Sequence, residues 1–407
     1  MTATTDILIV GGGLVGASLA LALDATGRRV TLLEATPPRV TPSGGMPRDD
    51  DNDRNLVLAR ASVNALRGLD VWPLLDSSAG TIRRVEVSRA GEFGKLRLSA
   101  RDAGVAELGR VVPGRVLGAA LEQRLAARRH LQRMTPAKLL ALTPTSSGWC
   151  ARIASNDSEC EIEARLVVGA DGSHSQVREQ VGIDAQQHDY GQSLFVCTVA
   201  CGRDLPDCAF ERFTDDGPIA LLPLPGNRRG LVLTVAADRH DEVAAMDDAA
   251  FIALAQQRFG WKLGALSRPG RRFPHRIRRV LSDALTASRA LLVGNAAQTL
   301  HPIGAQGFNL GLRDALTLAE LVADADDPGA SMLLQRYAER RQPDRDGVLA
   351  FSHGLIALGC LAQPALAPLR SLALLALDRV PSLRHGVVRR GMGFRGTPPG
   401  AVLDSGP

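Results

Sequence analysis

Residues 291–321 read LLVGNAAQTLHPIGAQGFNLGLRDALTLAEL, and three physical elements follow one another in them. Leu291-Leu292-Val293 is a short apolar run that stops at Gly294, as a buried parallel strand would. Pro302, Gly304 and Gly307 then let the backbone turn tightly and approach a ligand closely. From Asn309 onward, Leu310, Leu312, Ala315, Leu316 and Ala319 recur at helical spacing. A Gly-rich turn feeding a helix gathers unbonded N–H groups and a positive dipole end at one point, a site for an electron-rich or anionic group. Plain strand-loop-helix packing has the same pattern, so the weight comes from two other stretches.

The first is at the N-terminus. DILIV (6–10) is an apolar strand, GGGLVG (11–16) a Gly-rich turn, 17–23 helical in composition, and 30–33 a second strand that ends at Glu34. This is a βαβ unit with GxGxxG in its first turn. Gly11 permits the turn, Gly13 admits a pyrophosphate to the backbone, and Gly16 lets helix and strand pack closely. Glu34, 18 residues beyond Gly16, is placed for a ribose hydroxyl and argues against a 2′-phosphate. FAD or NAD therefore fits better than NADP. The second stretch is mid-chain: a strand, RLVVG (165–169), runs into ADGSHSQVR (170–178).

Composition excludes several classes. The 407 residues hold two or three domains, and 45% hydrophobic with 22% charged residues describe a soluble globular chain. Aromatics are only 4%, and the net charge of +5 comes from dispersed Arg, so no nucleic-acid surface is expected. The six Cys form no CxxC and have no His at zinc spacing, so no metal site is expected and the thiols read as reduced. No secretory signal precedes Asp6, and no run of about 18 apolar residues is present to span a bilayer.

In chain order, 43–53 reads as an acidic loop, and 54–72 as a helix anchored by Leu58, Ala61, Leu66 and Leu69. Asp49, Asp51 and Asp53 alternate as in a calcium loop, but Arg54 and Arg60 stand where its Gly and Glu belong. Strands are expected over 81–98, a helix over 116–127, and a hairpin from 149–153 and 160–162. Four regularly spaced strands, 194–199, 210–214, 219–222 and 230–235, suggest an antiparallel sheet. A helix over 247–259 and an extended segment over 276–284 follow. The helix containing 337–341 is expected to stop at Pro343.

Taken together, GGGLVG with Glu34, GADGSHSQVR (169–178) and GNAAQTLHPIGAQGFNLGLRDA (294–315) resemble the single-component FAD-dependent aromatic hydroxylases of the 4-hydroxybenzoate hydroxylase fold. Asn295, where most members carry Asp, with Gln298 and His301-Pro302, is similar to the ubiquinone-biosynthesis hydroxylases, and among them to the 2-polyprenyl-6-methoxyphenol hydroxylase group. ERFT (211–214) and GPIALLPL (217–224) resemble that group's substrate strands. One departure is local: the family has Ala-Gly before the Gln of the third motif, and here the order is Gly304-Ala305.

The resemblance implies an α/β fold: a Rossmann-like FAD-binding domain made discontinuously of 1–75, 105–185 and 276–345, an inserted antiparallel β-sheet substrate domain of 76–104 and 186–275, and a helical C-terminal part, 346–407. It implies that Arg54 and Arg115 meet FAD phosphate or ribitol groups. Asp171 would hold the ribose or the phosphate-facing loop, Gly172 gives close approach, and Arg178 anchors that loop, although Arg54 and Arg178 also fit surface ion pairs. Asn295 stands at the ribitol. Pro302, Gly304, Gln306, Gly307 and Asn309 lie against the flavin ring, with the helix after Asn309 stabilising reduced flavin. His301 reads as a structural loop residue.

The implied chemistry is reduction of FAD by NAD(P)H or another electron donor, addition of O2, and hydroxylation of an electron-rich ring by the flavin hydroperoxide. No residue is assignable as a general base. The implied substrate is a polyprenyl phenol. A related hydroxylase of a small soluble phenol and a FAD-binding scaffold subunit of a quinone-biosynthesis assembly stay open; a flavin halogenase would need a WxWxIP segment that is absent. The implied location is cytoplasmic and peripheral to the inner membrane, with contacts to a membrane surface or a biosynthetic complex and room for a homo-oligomer. The apolar segment 349–377 with Arg370, Arg379, Arg384, Arg389, Arg390 and Arg395 is the expected membrane contact.

Overall fold

The computed structural model describes residues 3–36, 54–128, 131–156, 158–360, 364–395 and 398–403. The acidic loop expected over 43–53 lies outside them. The first apolar run becomes β1 (Ala3–Val10), with Ile7, Leu8 and Ile9 fully buried, as the centre of a parallel layer must be. On one side β1 pairs in parallel with β2 (Val30–Leu33), which pairs with β8 (Gln132–Met134). On the other it pairs with β11 (Ser158–Gly169), which pairs with β19 (Ala290–Leu292). The antiparallel strands β9 (Lys138–Pro144), β10 (Trp149–Ser155) and β18 (Thr286–Ala287) complete this eight-stranded sheet. The expected separate strands at 160–162 and 165–169 are one strand, β11, which serves β10 with its first part and β1 with its last.

Against this layer, α1 (Leu14–Asp24) packs with α3 (Gly114–Ala126) and α7 (Gly307–Ala323). A second, nine-stranded sheet runs β20 (Gln298–Thr299), β17 (Phe273–Ser282), β12 (Ala185–Cys201), β15 (Arg228–Ala236), β14 (Ile219–Pro223), β13 (Cys208–Phe213), β5 (Arg84–Arg89) and β6 (Lys95–Ser99), with β16 (Leu266–Ser267) beside β12. It is antiparallel except where β13 meets β5 in parallel, the seam that joins two chain-distant segments. Helix α6 (Asp248–Phe259), capped by Asp247 Oδ1 accepting from Ala250 N at 2.7 Å, buries Phe251 and Phe259 in a core with Phe195 and Phe210. Helices α4 (Gln176–Gln180) and α5 (His240–Ala245) are single short turns.

Two expectations fail for tertiary reasons. The helix expected over 54–72 starts late: Asn55–Ala59 is β3, pairing with β7 (Gly109–Pro113), which also holds β4 (Gly80–Ile82). Only Arg60–Gly68 is helical, as α2. Asn309 of α7 completes the strand's bonding, its Oδ1 accepting from Ala59 N and its Nδ2 donating to Val57 O, both at 2.8 Å. Pairing partners that a local reading does not see outweigh helical spacing. Pro343, likewise, does not end its helix, for α8 spans Ser331–Cys360. Side chains on both sides of the proline are tied to one wall. Arg341 Nε donates to Asp314 Oδ1 at 2.7 Å, Asp344 takes Arg313 Nε at 2.7 Å and Arg341 Nη2 at 2.8 Å, and Arg345 bonds the carbonyl of Ser282. Helices α9 (Ala367–Arg379) and α10 (Pro381–Gly391) follow.

Burial opposes the charge of Asp344, yet the guanidiniums of Arg313 and Arg341 outweigh it and hold the carboxyl below its ordinary range. Its contribution is therefore present above the unfolded carboxyl's range and lost as pH falls through the lowered folded value. Asp344→Ala takes from buried Arg313 its carboxylate and leaves Arg341 with Asp314 alone, and should destabilise the protein by about 3–5 kcal/mol at neutral pH, read by denaturant unfolding.

Candidate functional site

A cavity of about 600 Å³ opens where both large sheets and the helices meet. Its first wall is the turn from β1 into α1. Gly11 has φ +106, and a Cβ there would lie 2.5 Å from the Ala170 carbonyl oxygen; one on Gly16 would lie 1.9 Å from the Gly11 oxygen. The turn, α1 and the end of β11 thus close on one another only without side chains. Gly13 faces open space and lines the cavity. As residue preceding α1 it offers no side-chain cap, so the first N–H groups of that helix have no capping partner among the described residues. Glu34 follows β2, with Oε2 accepting from Gly12 N at 2.7 Å and Oε1 from Thr36 N at 2.8 Å.

The second wall is the loop after β11. Asp171 Oδ2 accepts from Val177 N at 3.1 Å, while Oδ1 is buried with no partner among the described residues. Neighbouring Ala170 and Gly172 line the cavity. Arg178 is buried rather than a surface ion-pairing group. Its Nη1 donates to Ala296 O at 2.9 Å and its Nη2 to Ser173 O at 3.1 Å, so it ties this loop to the one after β19.

The third wall is that last loop. Asn295, Pro302, Gly304, Gln306, Gly307 and Asn309 all line the cavity. Helix α7 begins at Gly307, two residues before the expected Asn309, and it too lacks a side-chain cap. Buried Gln306 donates to Gly304 O at 3.0 Å and keeps Oε1 without a partner among the described residues. Asn309 lies in the wall with its amide fully committed to protein backbone at Val57, Ala59 and Ala305. The Gly304-Ala305 inversion has a structural cost: both have positive φ, +67 and +49, so an alanine occupies a left-handed position. Arg54 lines the cavity at the start of β3, whereas Arg115, in the first turn of α3, is outside its lining.

His301 is 3% exposed and its ring nitrogens are both used. Nδ1 accepts from Ile303 N at 3.1 Å, so Nε2 carries the hydrogen toward Gln192 Oε1, also at 3.1 Å. Burial lowers its pKa to about 4 and keeps it neutral.

The remaining walls come from the second sheet and from α8 and α10. They are almost wholly apolar, with Val85, Val87, Leu96, Leu98, Leu194 and Leu222 among them. One residue there escaped the sequence reading. Glu211 of β13, half-buried, lines the cavity, and burial raises its pKa to about 7. The available signal was parity: Ala209, Glu211 and Phe213 share one face of β13, and a carboxylate there interrupts an inward apolar face.

A family model described as "FAD binding domain" matches residues 4–352. The chain is 36% identical over 394 residues to a ubiquinone hydroxylase (UbiL) of Rhodospirillum rubrum, covering 95% of this chain and 89% of that protein. It is 32% identical over 397 residues to the 3-demethoxyubiquinol 3-hydroxylase of Escherichia coli, covering 96% and 99%. The chain belongs to the FAD-dependent ubiquinone-biosynthesis hydroxylases. Its fold is that of p-nitrophenol 4-monooxygenase PnpA from Pseudomonas putida, with a TM-score of 0.78 at 17% identity over 97% of this chain and 99% of that one. The hydroxylase is thus an FAD-dependent aromatic-ring monooxygenase, as its motifs imply, with NAD(P)H and O2 the typical cosubstrates.

The walls of the hydroxylase fit that cofactor. Two uncapped helix N-termini supply donors, and the orphaned Asp171 Oδ1 and Gln306 Oε1 supply acceptors. Ala305→Gly should relieve the left-handed alanine and raise stability by about 1 kcal/mol, seen as a higher unfolding midpoint. Glu211→Gln should match the wild type in Tm near roughly pH 4 and exceed it at about pH 8. A folded pKa raised above the unfolded one gives stability at low pH that is lost as pH climbs through about 7.

Proposed function

We propose that this hydroxylase acts on a polyprenyl phenol of ubiquinone biosynthesis, with the ring held beside FAD and the tail leaving toward α8–α10. The observation that carries this is the continuity of the cavity. One lining takes in both uncapped helix ends and the apolar side chains of Phe351, Leu355, Val387 and Met392. A tail needs such a path, and a small soluble phenol does not. The names of the R. rubrum and E. coli relatives support the same pathway.

In this reading segments 1–75, 105–185 and 276–345 are the cofactor part, 76–104 and 186–275 the substrate part, and 346–407 the C-terminal part. Gly11, Gly13 and Gly16 admit the pyrophosphate to α1, and Glu34 meets the ribose. Asp171, Gly172 and Arg178 hold the second loop, with Asp171 Oδ1 as acceptor for a cofactor hydroxyl. Asn295 and Arg54 line the path of the ribitol and phosphates, and Arg115 acts from outside the lining. Pro302, Gly304, Gln306 and Gly307 border the ring, and Asn309 keeps that border in shape. FAD supplies the oxygen-activating chemistry when bound; the chain binds it, orients the phenol and excludes water.

Peripheral contact with the inner membrane from the cytoplasm belongs to the same proposal. Among the described residues no helix is long and apolar enough to cross a bilayer. Leu369, Leu372, Val380 and Leu383 stand 65%, 58%, 40% and 49% exposed on and between α9 and α10. Not all the expected cations join them: Arg370 is buried with its Nε on Glu92 at 2.9 Å, Arg395 is buried over Phe351, and Arg384 pairs with Asp102. Arg379, Arg389 and Arg390 remain exposed on the same two helices, the combination that holds a peripheral protein to an anionic surface.

Cells lacking the protein should accumulate a quinone precursor one hydroxyl short, identified by mass spectrometry, and the purified enzyme should convert it. A precursor pool identical to that of the parent would overturn the pathway. Asp171→Ala should weaken FAD roughly ten- to a hundred-fold with the fold kept, measured by flavin titration. The triple variant Leu369→Ser, Leu372→Ser, Leu383→Ser should retain flavin yet stop floating with anionic liposomes; unchanged flotation would remove α9 and α10 as the contact.

A further inference from the structure

We infer that Glu211 is the group that receives the phenolic proton of the substrate. This rests on the phenol reading of the cavity. A ring bearing O–H is a weaker partner for an electrophilic oxygen than a ring bearing O⁻. A base within hydrogen-bond reach that takes the proton as the ring is attacked therefore lowers the barrier.

The cavity lining presents few other groups for this task. Among its described residues Glu211 is the only carboxylate. Both nitrogens of His301 are occupied, and protonating Nδ1 would break its bond from Ile303 N. The amide of Asn309 is committed, and that of Gln306 is not basic. The cation Arg54 lines the same cavity near His275 and has no lone pair to give.

The carboxylate is also unoccupied by the protein. No hydrogen bond or ion pair holds it among the described residues, although other buried carboxylates of the chain are tightly held, Asp314 and Asp344 by arginines. Its neighbours on the cavity face are Val85 and Val87 of β5 and Ala220 and Leu222 of β14, none of which titrates. Charged groups of the same strands are spent elsewhere. Glu86 bonds Lys262, Arg84 Nη2 donates to Pro206 O, and Arg89 is paired with Glu92 at 3.1 Å and with Asp215. Across the cavity α10 contributes Val387, Val388 and Gly391, while its Arg389 and Arg390 are exposed. A carboxylate kept in an apolar chamber without a partner costs stability, and an uncharged residue would pack there more cheaply. What gives it a purpose is a donor that arrives with the substrate.

The step balances within the pair. The phenol O–H bond breaks, its electron pair stays on the phenolic oxygen, and the proton forms an O–H bond on a Glu211 oxygen. After hydroxylation the ring C–H bond breaks and its proton goes to solvent as aromaticity returns, while Glu211 gives its proton back to the phenolic oxygen and is again a carboxylate. Burial lifts the carboxyl to about 7, closer to a phenol near 10 than an ordinary glutamate is, which makes it a stronger base that is still ionised above neutrality.

The test uses the FAD-loaded full chain with 2-geranyl-6-methoxyphenol and its O-methyl ether as probes. Binding is followed by flavin absorbance and product by mass spectrometry across pH. In the wild type, affinity for the phenol relative to the ether should rise as pH increases through about 7, and product formation should rise with it. Glu211→Gln should keep its flavin and bind the ether normally, lose the pH dependence of phenol binding, and form product about 10²–10⁴-fold more slowly. Should the glutamine variant lose flavin, Glu211→Ala carries the same comparison. A variant that hydroxylates at the wild-type rate with the wild-type pH profile overturns the assignment and leaves the phenol reading standing. A wild type that neither binds nor hydroxylates the phenol overturns both.

Discussion

The site depends on one buried ionic lattice. Asp314, on α7, accepts from Gly294 N at 3.2 Å and from Gln298 Nε2 at 2.7 Å, and it takes Arg341 of α8 on its other oxygen. Arg341 then shares Asp344 with Arg313, and Arg313 reaches back to Asn309 O at 3.1 Å. Four charges removed from water are an expensive arrangement unless every lone pair and proton is used, and here the bonding is nearly complete. The benefit is positional. The loop after β19, the start of α7 and the body of α8 are held in one frame, and all three border the cavity.

Much of this was legible from residues alone where the signal is local. The βαβ turn, the loop after β11 and the helix after the last Gly-rich turn are short, and their glycines are required by close approach within a few residues. The strands of the second sheet were legible from their period. What was not legible depends on distant partners. The segment 55–59 looks helical until β7 and Asn309 claim its backbone, and Pro343 looks like a stop until the arginines around it are seen to be pinned. Arg370 looks like a surface cation in the sequence, but its partner Glu92 lies 278 residues away.

The cavity divides the labour of its walls in a way the motifs only half express. Backbone groups and helix ends dominate the side that faces the cofactor, so that side is encoded by glycines and is easy to read. The other side is built of β-branched and leucine side chains whose individual identities matter little, and a single carboxylate among them carries the information. A motif search is sensitive to the first kind of wall and nearly blind to the second. Glu211 sits in a family-like strand, and its meaning lies in which face of β13 it occupies.

The parallel seam between β5 and β13 has a consequence for how the chain is made. Just before the seam, Arg83 pairs with Asp207, 124 positions away. During synthesis the inner edge of β5 emerges early and waits without its partner while the whole first sheet's mid-chain strands are added. Closing so long a loop is entropically costly until β13, β14 and β15 arrive together as a hairpin series that can zip onto it. The cofactor loop after β19 is later still. The nascent chain therefore carries an open sheet edge and an unfinished flavin cradle until its last third leaves the ribosome, and in that interval its survival depends on what shields that edge.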